Sequence, residues 1–270
     1  MLRHMTLQTI KLYAKKFGPE FGQIYLACDH SSWRKQYFKY YKANRKKTRD
    51  ASDMDWDEVF SWLDTVKQEL IDFSPYKVLH VNGAEADDII ATLVHRTQIP
   101  DPGPLGFGGD KEKVMIVSSD KDFLQLQKFS NVKQFSSVRK KLLTEKDPNR
   151  YLFTHLIKGD SGDGVPNVFS DDDTFVTDKR QTPVRKTKLE AMYENWRHTG
   201  EVPADIKRNF DRNQLMIDLD YIPEDIKAVI NAEIERVETI PSPNINKFMT
   251  YLISKRCSKL LPAIKDFYIK

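Results

Sequence analysis

The sequence predicts an α/β fold with a parallel sheet, followed by a helical lobe. Short apolar runs alternate with amphipathic helical patterns as far as residue 147, the rhythm of strand–helix crossovers. From residue 148 the strand signals give way to helical patterns alone. Carboxylates also stand just beyond three of the apolar runs, at the strand ends where α/β sheets collect their ligands.

Leu2, Met5, Ile10, Tyr13 and Phe17 fall on one face of a first helix, and Gly18-Pro19 predicts its end. Residues 23–28 read as a buried strand leading to Asp29, and 33–47 as a basic helix or arch. Asp55-Trp-Asp-Glu58 opens an amphipathic helix with the stripe Val59, Phe60, Leu63, Val66, Leu70 and Phe73. Residues 77–81 form the next strand and 85–96 the next helix, whose acidic first turn suits the positive end of the helix dipole. The proline- and glycine-rich stretch 100–109 is expected to be a loop. A strand at 114–117, a helical turn at 123–127 and a strand at 132–135 complete the α/β part. Helices are predicted over 151–158, 188–197, 203–216, 223–237 and 246–254, with Gly200 as a stop and 170–183 as a polar connection. The expected domains are 1–147, an α/β core with a basic arch at about 33–50, and 148–270, the helical lobe.

A chain of 270 residues that is 40% hydrophobic is an ordinary globular protein of one or two domains. No apolar run approaches the ~20 residues of a membrane span, and no basic-then-apolar leader opens the chain, so the cytosol is the expected address. Cys28 and Cys257 are too far apart in sequence for a zinc knuckle, and the six histidines show no helical H-x-x-x-H pair. Soft-metal sites are not expected. The net charge is only +4, but residues 34–49 carry eight basic side chains and no acid, interleaved with Tyr37, Phe38, Tyr40 and Tyr41 and preceded by Trp33. Such a stretch attracts polyanions and offers rings to stack on bases, although a solvated helix with a few core aromatics would look the same.

Glu85-Ala-Asp-Asp88, Asp120-Lys-Asp122 and the Asp160 and Asp163 of Gly159-Asp-Ser-Gly-Asp-Gly-Val-Pro166 are the candidate site. Converging acids repel unless cations neutralise them, and oxygen-ligated Mg²⁺ pairs about 3.5 to 4 Å apart suit in-line attack on a phosphodiester. Alternatives exist for each piece. Acids in a first helical turn can be there for capping alone, and D-x-D at a strand end also occurs in aspartyl-phosphate phosphatases. The glycine-rich segment fails as an EF-hand, whereas as a turn between helices its glycines would let backbone amides approach a phosphate.

Taken in order, Ala27-Cys-Asp-His30, Trp33-Arg-Lys35, Tyr40-Tyr-Lys-Ala-Asn-Arg45, Ala84-Glu-Ala-Asp-Asp88, Ser118-Ser-Asp-Lys-Asp-Phe123, Asn131-Val-Lys-Gln-Phe135 and Lys158-Gly-Asp-Ser-Gly-Asp-Gly-Val165 resemble the flap endonuclease family, in particular its phage ribonuclease H type. The resemblance implies a PIN-like nuclease core and a lobe containing a helix-three-turn-helix. It implies a two-metal 5′ to 3′ exonuclease and flap endonuclease with ribonuclease H activity, using Mg²⁺ or Mn²⁺ and removing RNA primers during phage replication in the host cytoplasm. Asp29, Glu85, Asp87 and Asp120 would surround one ion, with Asp88 as a further candidate, and Asp122, Asp160 and Asp163 the other. Lys42 and Arg34 would contact the scissile phosphate. Trp33, Lys35, Tyr41, Arg45, Lys46, Lys47, Gly159, Gly162 and Gly164 would bind nucleic acid, with Tyr41 stacking on a base. The implied partners are DNA or RNA–DNA hybrid with a 5′ end or flap, a single-strand-binding protein and a sliding clamp, around a monomer with no membrane attachment.

The same family places a buried strand with another metal-binding aspartate ahead of the opening helix, and nothing before Leu2 supplies it. The expectation is an impaired first metal position. A structure-specific nucleic-acid-binding remnant without catalysis, and a D-x-D phosphatase, are the alternative readings.

Overall fold

The computed structural model describes residues 2–99, 111–177 and 179–268, without the side chains of 46–48. In chain order the elements are α1 (Leu2–Phe21), β1 (Tyr25–Cys28), α2 (Arg34–Tyr37), α3 (Asn44–Asp50), α4 (Trp56–Phe73), β2 (Lys77–His80), α5 (Ala86–Arg96) and β3 (Val114–Val117). A 3₁₀ helix (Asp122–Lys128), β4 (Val132–Ser136), β5 (Lys141–Leu143) and α6 (Pro148–Lys158) follow. Then come α7 (Lys186–Thr199), α8 (Lys207–Ile217), α9 (Glu224–Thr239), α10 (Ile245–Ser254) and a closing 3₁₀ segment (Ser258–Phe267). The expected loop at 100–109 lies outside the described residues. Two compact units emerge: residues 1–31, 55–117 and 227–270 form the first, and 32–54 and 118–226 the second.

In the first unit β1 and β2 run parallel, with Tyr25 opposite Lys77 and Cys28 opposite His80. The crossover between them includes α4, which Asp55 caps by accepting the Glu58 N–H at 3.0 Å. The core gathers Leu7 and Ala14 of α1, Val66 and Leu70 of α4, Val78 of β2, and Phe248, Tyr251 and Leu252 of α10. Phe60 and Leu63, expected in the buried stripe of α4, are 43% and 46% exposed, because the helix turns Val66, Glu69 and Leu70 inward instead. Helix α1 continues through Gly18-Pro19 and stops at Gly22, whose φ of 72° suits a left-handed cap. The expected stop at Gly18-Pro19 is therefore corrected by about one turn.

Glu69 is a charged group inside that apolar layer, 6% exposed. Arg3 of α1 grips it bidentately, at 2.8 Å through Nη2 and 2.5 Å through Nε. The Tyr251 hydroxyl donates to it at 2.9 Å and Lys255 Nζ lies 3.0 Å away. Burial pushes this carboxyl up, but the donors Arg3, Lys255 and Tyr251 outweigh it and hold it below the usual range. A depressed folded value adds stability above the unfolded carboxyl pKa of about 4.3, and that stability is lost as pH falls through the folded value. Glu69→Gln should cost about 2 kcal/mol at neutral pH and shrink the stability difference between neutral and acid solution. Denaturant unfolding at the two pH values measures both; an unchanged difference would contradict the assignment.

In the second unit β4 and β5 form an antiparallel pair, Gln134 opposite Leu143 and Ser136 opposite Lys141. The sequence pattern did not predict β5. Its three residues are too short to show alternation, and Lys140, at φ 52°, makes the turn in place of a glycine. Helices α6, α7 and α8 close around Phe153, Leu156, Ile157, Tyr193, Phe210 and Met216. The basic stretch 33–47 is two short helices, α2 and the start of α3, and between them Lys42 adopts φ 57°. Trp33, Phe38 and Tyr41, all under 5% exposed, fill the helical core. The architecture is the expected α/β fold with a small parallel sheet and a large helical complement.

Candidate metal centre and nucleic-acid interface

In the first unit, Asp29 follows β1 and its Oδ1 accepts the Ala86 N–H of α5 at 2.8 Å. Asp88 is fully buried, and its Oδ2 accepts the Glu85 N–H at 2.9 Å. That hydrogen bond is one half of a capping box, which ties Asp88 to the start of α5 through Oδ2. Glu85, 6% exposed, and half-buried Asp87 flank the same helix start. These four acids share one corner of the first unit because a strand end and a helix start meet there.

The second unit holds the tighter group. Asp122, His155 and Asp160 present ligand atoms all within 4.8 Å of one another. Asp122 begins the 3₁₀ helix, with its N–H donating to Asp120 Oδ1 at 3.0 Å. His155 lies in the last turn of α6. Its Nδ1 is 3.3 Å from Asp122 Oδ1, close enough for an ion pair but not aligned as a hydrogen bond, and its Nε2 is 3.6 Å from Asp160 Oδ2. Gln134 fixes the approach to Asp122: fully buried on β4, it donates to the Ser118 carbonyl at 3.1 Å and the Asp120 carbonyl at 2.5 Å.

The charges explain one another. Burial, reinforced by Asp120, Asp160 and Asp163 and opposed by His155, pushes the Asp122 carboxyl up to about 7. Burial alone would lower the His155 imidazole, but Asp160, Asp122 and Asp120 raise it. The contact with His155, together with the Asp163 and Gly162 amides, keeps Asp160 low. A carboxyl pushed that high by burial, with three further acids adding to it, marks a place short of positive charge, and two carboxylates with an imidazole form a donor set that a divalent cation fits.

Sequence reading did not find His155, because no second histidine stands at ligand spacing. The available signal was a histidine at the C-terminal, negative end of a helix, one turn ahead of the acidic glycine segment.

That segment is a closed loop. Asp160 and Val165 pair through two backbone hydrogen bonds, of 2.8 and 2.7 Å. Asp160 Oδ1 accepts the Gly162 N–H at 2.7 Å and the Asp163 N–H at 3.2 Å. Asn213 of α8, fully buried, donates to the carbonyls of Leu156 and Pro166 on either side of the loop. Gly164 has φ 72°, and a Cβ there would come within 3.0 Å of the Tyr40 carbonyl, so the loop lies directly on the 40–45 segment.

Asp163 turns toward the 40–45 segment. Its carboxylate accepts from Tyr41 Oη at 2.9 Å and from Arg45 Nη2 at 2.5 Å, with Lys42 Nζ 3.4 Å away. It faces cations of the basic segment. Tyr41, 4% exposed, and Trp33, 2% exposed, are not available as surface stacking platforms, and Tyr37, 60% exposed, is the open ring. Arg34 is 2% exposed; its Nε donates to the Met216 carbonyl at 2.8 Å and its guanidinium lies over Trp33. This places it in the helical core of the second unit. Lys35 and Arg45 are exposed, and the Lys46 and Lys47 side chains lie outside the described residues.

The relatives of this chain put it among the phosphodiester hydrolases of the nuclease class. Residues 3–151 match the family described as 5′-3′ exonuclease, N-terminal resolvase-like domain, and residues 151–267 match T4 RNase H, C terminal. Ribonuclease H of Enterobacteria phage T4 is 33% identical over 278 residues, spanning 99% of this chain and 87% of that protein. A T5 5′-exonuclease solved with divalent zinc bound has a TM-score of 0.58 at 16% identity, over 89% of this chain and 91% of that one. A bacteriophage T5 flap endonuclease solved with DNA and metal ions has a TM-score of 0.56 at 17% identity, over 88% and 91%. The chain belongs to the 5′-3′ exonuclease family and carries the T4 ribonuclease H C-terminal domain.

Proposed function

We propose that the chain is a divalent-cation-dependent 5′ to 3′ exonuclease and flap endonuclease that hydrolyses RNA primers and adjoining DNA during phage replication. The observation that carries this reading is the Asp122–His155–Asp160 group. Asp122 and Asp160 offer the hard oxygens that Mg²⁺ prefers, and His155 adds a nitrogen that Mn²⁺ accepts more readily. In the first unit Asp29, Glu85 and Asp87 are proposed as further cation ligands. When bound, divalent cations supply Lewis acidity toward the phosphodiester and its attacking water.

The remaining work belongs to the protein's own side chains. Lys42 and Arg45 offset negative charge on the phosphate, and exposed Lys35 adds sequence-independent attraction to the backbone. Tyr37 offers a ring face to an unpaired base. Gln134 and the paired ends of the glycine loop hold Asp122 and Asp160 in place.

The test is a 5′-labelled flap and an RNA–DNA hybrid incubated with Mg²⁺, with Mn²⁺ and with EDTA. Short 5′ products with either cation and none in EDTA are expected. Flap binding without cleavage would favour a binding module, and phosphate release from monoesters would favour a phosphatase; either result would overturn the proposal.

A further inference from the structure

We propose that Asp163 stands in for a substrate phosphate on Tyr41, Lys42 and Arg45, and gives up these donors when a phosphate of the flap arrives. The inference rests on the reading above that Lys42 and Arg45 meet the nucleic-acid backbone. A phenol hydroxyl, a guanidinium and an ammonium around one carboxylate make the donor set that also fits the non-bridging oxygens of a phosphate.

The two segments remain joined without that carboxylate. Lys42 N–H donates to the Asp163 carbonyl at 2.7 Å, and Asn44 Nδ2 donates to the Ser161 carbonyl at 3.0 Å. The Asp163 side chain can therefore move while both backbones stay in place. Asp160 is different, since its carboxylate is tied to amides of its own loop. Arg45 is half exposed and the Asp163 carboxylate partly so, which leaves the exchange open to solvent. The unusual φ of Lys42, 57°, is part of what brings residues 41, 42 and 45 onto one carboxylate. In the absence of substrate, Asp163 keeps these donors ordered and neutralised, and the flap competes with it for them.

The test measures anisotropy of a labelled 5′-flap DNA with the full chain in EDTA, across a salt series. Asp163→Asn should bind about 5-fold more tightly at low salt. Its salt slope should match that of the unmodified chain, because Lys42 and Arg45 meet the flap in both complexes once the carboxylate has been displaced, and a slope steeper by about 0.7 per cation would mean that the unmodified chain never releases them. Asp205→Asn, the same charge change at an exposed residue, should leave the affinity close to that of the unmodified chain. Adding Arg45→Gln to Asp163→Asn should lower the slope by about 0.7, one cation fewer on a single-stranded phosphate, and a thermal melt of each variant establishes that it is folded. Asp163→Asn that behaves like Asp205→Asn, or that binds more weakly, overturns the exchange. An unmodified chain that does not bind the flap in EDTA overturns the underlying reading along with it.

Discussion

Asp122→Asn should cut single-turnover flap cleavage by about 10³-fold, equivalent to about 4 kcal/mol of transition-state stabilisation, while flap binding in EDTA persists. The reason lies in the crowding around that carboxyl, which burial and the facing Asp120, Asp160 and Asp163 push up to about 7. A charge held so unwillingly belongs where a cation is meant to compensate it, and the amide keeps the shape without the charge. The same substitution should stabilise the cation-free protein in mildly alkaline solution. A folded value raised above the unfolded one contributes stability at low pH that is lost as pH rises through about 7. Loss of activity with a gain in cation-free melting temperature is thus the expected pair of results. Retained cleavage would remove Asp122 from the centre.

Gly159→Ala should unfold the acidic loop and take cleavage with it. Gly159 sits at φ 68° and ψ −175°, a region open essentially to glycine alone. An added Cβ would lie 2.3 Å from the Val165 carbonyl oxygen and 2.5 Å from the Pro166 carbonyl carbon. Both contacts are backbone, so no side chain can turn aside, and the Asp160–Val165 pairing must open. Dihedral strain and the lost pairing together should cost about 3 kcal/mol or more. Gly162→Ala is the control, since its Cβ would meet only a side-chain atom, Asp160 Oδ1, at 3.2 Å, and no backbone. Chemical denaturation and amide exchange at residues 160 and 165 read the difference. Equal stability of the two variants would show that the loop is not held as described.

Much of the acidic group in each unit was legible because these residues follow strand and helix ends, and local apolar patterning marks those ends. Asp29 after β1 and Asp122 at the 3₁₀ helix stand where alternation of strands and helices placed them. His155 was not legible, since its partners lie 33 residues earlier and 5 residues later, across a helix end. The aromatic segment misled in the opposite direction. Its composition resembles an exposed nucleic-acid surface, yet Trp33, Phe38 and Tyr41 are core. Basic neighbours say nothing about which way a ring faces once the helix is only four residues long, as α2 is.

The sequence by itself determined the alternation of strands and helices, the carboxylates at their ends and the glycines where only glycine fits, because these depend on nearest neighbours along the chain. Only the tertiary structure decided that α10 returns to the core shared by α1 and α4, that His155 completes the acidic group, and that Asp163 faces Arg45. Those choices are made by burial and charge pairing between distant segments, and no local pattern records which distant partner a buried charge will find.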